Sequence, residues 1–196
     1  MNAHAPDRYP LLLRLLHWLL AVLLVVQVLL GLAAEHWLSR EHGNAVLAVH
    51  FKLGLLILCL MTLRLYLRLL LPTPRCSDEA PRWIRWIRLC VHASLYAVTF
   101  TLPVSGYVIW IWMGADRSLL AGLELPALVV PTADETGRVI AWYLHVYGAW
   151  VLVVLAGLHA AAALHHQWRH RDDFIARRMG LWERRTSRIS TENRIR

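Results

Sequence analysis

The chain has 196 residues, of which 58% are hydrophobic and only 17% charged, with ten tryptophans, a mean hydropathy of +0.44 and a net charge of +8. This composition excludes an ordinary soluble domain and points to one membrane-embedded unit. The basic surplus comes without an aromatic or glycine-rich nucleic-acid module, so the expected partner is the lipid bilayer and no nucleic acid.

A bilayer-spanning helix needs about 20 mostly apolar residues. The first such run, Leu15 to Ala34, lies in a helix predicted over 10–35. It is too long for the apolar core of a signal peptide and no small-residue cleavage site closes it, so it reads as a retained span. The second helix, 45–71, is interrupted by Lys52, Arg64 and Arg68, whose long side chains can reach the membrane surfaces. The prolines of PTPRCSDEAPRWIRWIR stop it, and the Arg/Trp alternation that follows suits the headgroup level. A third helix is predicted over 83–115. Residues 116–138, with Pro126, Pro131 and Gly137, form a loop expected to lie across the mouth of the bundle. The fourth helix, 139–168, carries no formal charge. Beyond Trp168 come nine arginines and four acids, and residues 179–196 read as a basic, disordered tail after a membrane domain of residues 1–178. The expected fold is therefore an all-α, four-helix transmembrane bundle.

Charge gives the orientation. The segments 35–44 and 116–138 together with Lys52 hold four basic and six acidic residues, net −2, while the remaining 17 basic and 7 acidic residues give +10. Basic residues favour the cytoplasmic face, so both termini are expected there. Cys59, Cys76 and Cys90 fall within the membrane or on that face, where disulfides are rare, and the absence of a C-x-x-C-H motif excludes covalently attached c-type haem.

Four histidines stand out by depth. His145 and His159 are 14 residues apart, which on a helix is about 21 Å of rise and a rotation about 40° short of whole turns. They share a face near opposite leaflets. His17 lies at the depth of His159, about two turns inside the cytoplasmic end, and His50 lies at the depth of His145 near the outer end. Two facing pairs of imidazoles, with no intramembrane carboxylate to complete a cage, suit two six-coordinate haems better than zinc. Bis-histidine ligation fills both axial positions, which favours electron transfer over oxygen binding.

Other residues fit around these pairs. Gly31, 14 residues after His17, puts no bulk at the level of the outer haem, and Arg64, 14 after His50, reaches the inner one with a fork suited to a propionate carboxylate. Gly148, Ala149, Ala156, Ala162 and Ala163 leave room beside the helix 4 histidines, or serve helix packing. His92, at a similar depth in helix 3, competes with His17 as partner of His159 or bonds a propionate or quinone carbonyl. His166, 7 residues beyond His159 at the membrane boundary, suits a propionate bond or proton transfer. His165 and His170 read as interfacial, and His4, His36 and His42 as surface residues.

At these residues the chain resembles the bacterial cytochrome b561 family of four-helix, di-haem, quinone-linked cytochromes. The likeness rests on RLLHW, on AVHFKLG followed by RLYLRLLLPTP, on HASLYAVTFTLPVSGYV and on GLHAAAALHHQW, in that order, over about residues 8 to 178. The resemblance implies two b-type haems held by His17 and His159 on the cytoplasmic side and by His50 and His145 on the periplasmic side. It also implies residence in the bacterial inner membrane, electron exchange with quinone, with ubiquinone the expected one, and an oxidoreductase activity that in part of the family oxidises superoxide. The outer segments sum to −2, which departs from what an anionic substrate would favour; Lys52, two residues from His50, is the candidate for a local basic funnel, and no catalytic residue is assigned. The alternative function is a haem-bearing anchor subunit that relays electrons from a partner dehydrogenase or hydrogenase. A histidine-lined channel ranks last, because the spans hold no Asp or Glu and little polar lining.

Overall fold

A computed structural model of the chain describes residues 8–72, 74, 81–120, 123–170 and 179–180. Its described residues form α1 (Leu11–Leu32) with a π-helical turn over Ala33–Trp37, then α2 (Arg40–Leu70) and α3 (Arg82–Trp112). A two-stranded antiparallel hairpin, β1 (Ser118–Leu120) and β2 (Leu123–Glu124), leads to α4 (Thr136–His170). All four α-helices are long and apolar enough to cross a membrane. The fold is thus an all-α four-helix membrane bundle. His4, Cys76 and most of the tail 179–196 lie outside the described residues.

The helix ends differ from the sequence expectation in ways that packing explains. α2 begins at Arg40, a turn before the expected residue 45, although Gly43 and Asn44 are poor helix formers. Gly43 is buried, and a Cβ there would stand 3.0 Å from the Ala34 carbonyl oxygen, so its lack of a side chain lets α2 start directly against the π-helical turn. The RWIRWIR stretch lies inside α3, which places its arginines and tryptophans on the first turns of that helix. α4 begins at Thr136 and α3 ends at Trp112, so the intervening loop is shorter than expected at its far end and longer at its near end.

That loop is tied to the end of α3. The Tyr107 hydroxyl donates to the Pro126 carbonyl at 2.5 Å and accepts from the Leu128 amide at 2.8 Å, and the Trp110 indole donates to the Asp116 carbonyl at 2.9 Å. Trp110 also stacks on Phe51 of α2, with centroids 4.4 Å apart and planes 5° from parallel. At the other end of the bundle, Trp18 donates to the Met179 carbonyl at 2.9 Å and Arg14 to the Gly180 carbonyl, which brings the chain beyond α4 against α1.

Close backbone packing runs from α1 to α2, from α2 to α3 and most extensively from α3 to α4. α4 packs extensively on α3 alone among the described helices. A buried cluster of Leu20, Ile57 and Met61, flanked by Leu23, Leu24, Leu53, Leu60, Tyr96 and Phe100, fills the middle of the bundle. In sequence these residues lie between His17 and Gly31 on α1, between His50 and Arg64 on α2, and between His92 and Gly106 on α3. The apolar core therefore separates two histidine levels.

Candidate functional site

The two histidine pairs read from depth face each other in space. His17 of α1 and His159 of α4 have ring centroids 6.3 Å apart and planes at 80°; His50 of α2 and His145 of α4 have centroids 5.9 Å apart and planes at 69°. All four rings are half-buried. Both pairs cross from α4 to helices on which α4 does not pack extensively, so the imidazoles meet over seams and not within tight backbone contacts.

At the second level the rings are oriented by the main chain. His50 Nδ1 lies 3.1 Å from the Gln27 carbonyl oxygen, and His145 Nδ1 lies 2.9 Å from the Leu102 carbonyl oxygen. A carbonyl only accepts, so these contacts place the proton on Nδ1 and leave Nε2 with its lone pair. The buried Ser105 hydroxyl lies 3.1 Å from the same His145 nitrogen and donates to Leu102 O at 2.9 Å. Glycines clear the flanks. A Cβ on Gly31 would meet His50 Cε1 at 3.2 Å, and one on Gly106 would meet His145 Cε1 at 3.0 Å.

The first level holds more polar groups. Arg64 Nη1 donates to the Tyr96 hydroxyl at 2.5 Å, and its guanidinium carbon lies 5.8 Å from the Tyr96 ring centre. Arg68 stacks over Tyr9 at 5.0 Å. Arg14 Nε, Arg64 Nε and Arg68 Nη1 are buried nitrogens that have no hydrogen-bond partner among the described residues. His92 is exposed, bonds the Arg88 carbonyl at 2.7 Å through Nδ1 and brings its ring within 5.1 Å of His159. His166 is half-buried and His165 exposed.

Some of these placements go beyond the sequence expectation. Gly148, for which room beside His145 and helix packing were both open, takes the second role: a Cβ there would stand 3.2 Å from Leu102 Cδ2 on α3. Gly106, Ser105 and Tyr96 went unrecognised. For Gly106 a signal existed, because it stands 14 residues after His92, the spacing that separates Gly31 from His17. For Ser105 and Tyr96 only the rotation of α3 against its neighbours reveals the contact.

Lys52 is exposed, one turn of α2 or less from His50, and close enough to Asp116 to stabilise its carboxylate. Asp116 is held below the usual carboxylate range mainly by hydrogen bonds from the Ser118 hydroxyl and amide, with Lys52 a smaller contribution.

Comparison with known proteins gives this geometry a family. Residues 8–181 match the family model of prokaryotic cytochrome b561. The chain is similar to "Cytochrome b561 homolog 2" of Escherichia coli (strain K12), with 28% identity over 182 residues covering 90% of this chain and 94% of the relative. It is also similar to "Probable superoxide oxidase CybB" of Yersinia pestis, at 27% identity over 84% of this chain and 91% of that protein. "Cytochrome b561 homolog 1" of Escherichia coli (strain K12) is 24% identical over 84% of this chain and 92% of its own length. Four membrane-spanning helices, paired histidines across their seams and a match over nearly the whole membrane domain agree: the chain belongs to the prokaryotic cytochrome b561 family of multi-pass bacterial membrane proteins, which bind haem b and transfer electrons.

Proposed function

We propose that the protein is a di-haem b oxidoreductase of the bacterial inner membrane that passes electrons from a periplasmic donor to the quinone pool, with both termini cytoplasmic. His17 and His159 hold the haem nearer the cytoplasm and His50 and His145 the haem nearer the periplasm. The observation that carries this reading is the spacing of the rings. Imidazole nitrogen sits about 2 Å from a first-row transition metal, so two ligands in line, with the reach from each nitrogen to its ring centre, stand about 6 Å apart by centroid. The pairs at 6.3 and 5.9 Å fit that span.

The surroundings fit the rest of the group. Gly31 and Gly106 keep the flanks of the outer pair free of side chains, and the main-chain carbonyls on Nδ1 fix the tautomer that presents Nε2 to a metal. The orphaned nitrogens of Arg14, Arg64 and Arg68 would be costly in a buried setting without an acceptor, and carboxylates of a haem propionate are the acceptors that suit them. His92 lies 5.1 Å from His159 by ring centroid, shorter than the 6.3 Å of His17, and His17 is the residue that would share a haem with His159.

Haem held by the pairs His17–His159 and His50–His145 would supply one-electron exchange. The protein's own residues do the rest. The apolar layer of Leu20, Ile57 and Met61 keeps water out between the two levels. Lys52 offers positive charge at the periplasmic end, where an anionic donor such as superoxide would arrive; the likeness to a relative named a superoxide oxidase supports that donor. His166, about two helical turns beyond His159 and half-buried, would bond a quinone carbonyl at the membrane boundary and hand it a proton, and ubiquinone is the quinone proposed.

The test is haem stoichiometry by pyridine haemochrome on the purified chain, followed by stopped-flow mixing with superoxide and a short-chain ubiquinone. Two protohaems per chain and quinone-dependent superoxide loss are expected. One haem or none overturns the ligand assignment. Two haems that superoxide leaves oxidised overturn the donor, and two that superoxide reduces but the quinone leaves reduced overturn the acceptor.

A further inference from the structure

We infer that Gln27 is the positioning residue for the outer pair, holding the His50 imidazole in register with His145; this rests on the proposal that these two histidines carry one haem. Gln27 is the single carboxamide in α1, and a polar group in that apolar helix has a cost that calls for a use. Its contacts supply one. The Gln27 side chain donates through Nε2 to the His50 carbonyl at 2.7 Å, while the Gln27 carbonyl accepts from His50 Nδ1 at 3.1 Å. Two bonds of opposite sense thus join the same two residues on two helices. The His50 carbonyl can only accept, so the amide must turn its nitrogen toward it, and the orientation is set by chemistry.

The space around the amide is shaped for this exchange. A Cβ on Gly54, one turn beyond His50, would stand 3.1 Å from Gln27 Nε2, so glycine there leaves the place the amide enters. Gly31, one turn beyond Gln27, clears the other side of the His50 ring. Sliding α2 by one residue along α1 would shift the ring by about 1.5 Å and swing it about 100° around the axis. A reciprocal clamp opposes both motions, whereas a lone Nδ1 bond would tolerate some of either. The Gln27 Oε1 atom has no hydrogen-bond partner among the described residues, so the bond to His50 is the contact that accounts for the amide. His145, by contrast, is held from α3 through Leu102 and Ser105. Each imidazole of the pair is therefore anchored by a helix that carries neither ligand.

The experiment uses the full chain in detergent with both haems bound. Gln27→Leu keeps the bulk and removes the donor; Gly54→Ala crowds the amide without touching either histidine. Partners that orient a metal-bound histidine contribute about 10- to 100-fold in affinity; Gln27→Leu keeps the main-chain carbonyl on the His50 ring and removes only the amide half of the clamp, so transfer of one of the two haems to apomyoglobin should speed up by up to about tenfold. The low-spin electron paramagnetic resonance signal of that haem should move while the other stays. Gly54→Ala should show the same selective change to a smaller degree, and it carries the test if Gln27→Leu does not accumulate. Unchanged release and spectra in these variants, or equal changes at both haems, overturn the inference. If instead His50→Ala retains both haems, the ligand assignment itself is what fails.

Discussion

Gly106 of α3 lies so close to His145 of α4 that a Cβ on it would stand 3.0 Å from the imidazole Cε1. Contacts this short force a neighbour to move, and this neighbour is held by Leu102 and Ser105. Overpacking of a fixed group costs about 1–3 kcal/mol, or about five- to a hundredfold in affinity. Gly106→Ala is therefore expected to weaken retention of the outer haem alone, measured as its transfer to apomyoglobin. Gly148→Ala, whose new methyl would meet the flexible tip of Leu102 at 3.2 Å, is the contrasting case and should change haem retention little.

Substitution of the ring pairs separates the two haems. His50→Ala and His145→Ala are each expected to leave about half of the wild-type haem, and so are His17→Ala and His159→Ala, because each haem would be held by both histidines of its pair. His92→Ala should keep both. Loss of a haem from His92→Ala with retention in His17→Ala would exchange their roles.

Arg64 is held by the Tyr96 hydroxyl, and this pairing leaves Nε for another acceptor. Tyr96→Phe removes one partner of a half-buried charged group, a change that costs about 1 kcal/mol. It is expected to lower the thermal midpoint of the purified protein and shift the spectrum of the haem nearer the cytoplasm. Arg64→Lys, which keeps the charge but not the fork, should disturb the same haem and spare the other.

How much of this could be read in advance depends on whether a quantity accumulates along one helix or arises between two. Depth accumulates at a fixed rise per residue, so counting from charge-marked ends paired His17 with His159 and His50 with His145. Azimuth between helices is set by packing, which is why depth left His92 as a lesser competitor of His17, and why Gly148, open to reading as room beside the histidines or as helix packing, is decided for packing only by its contact with α3. Tyr96 and Ser105 sit among ordinary helix residues, and only the rotation of α3 turns one to Arg64 and the other to His145. The hairpin at Ser118–Glu124 escaped notice because two short strands carry almost no periodic signal.

Lys52, two residues after His50, and Asp116, within reach of its charge, set opposing charges toward the end of the bundle that carries His50 and His145, and their substitution should act in opposite directions on an anionic donor. A unit charge at contact in water changes an encounter with an ion by a factor of about five at most. Lys52→Gln is expected to slow reduction by superoxide by up to that factor and Asp116→Asn to speed it, with both effects shrinking as salt is added. The pH dependence follows from the depressed Asp116 carboxyl. The bonds from Ser118 stabilise the loop above the carboxyl's unfolded-state pKa, and that contribution is lost only as pH falls through the lower folded value. Between pH 8 and pH 6 both the Asp116 carboxylate and superoxide keep their negative charge, and the ratio of the Lys52→Gln rate to the wild-type rate should stay flat. Stopped-flow rates across that range check the point; a ratio that changes between pH 8 and pH 6, or rates that do not respond to salt, would remove Lys52 from the path of the donor.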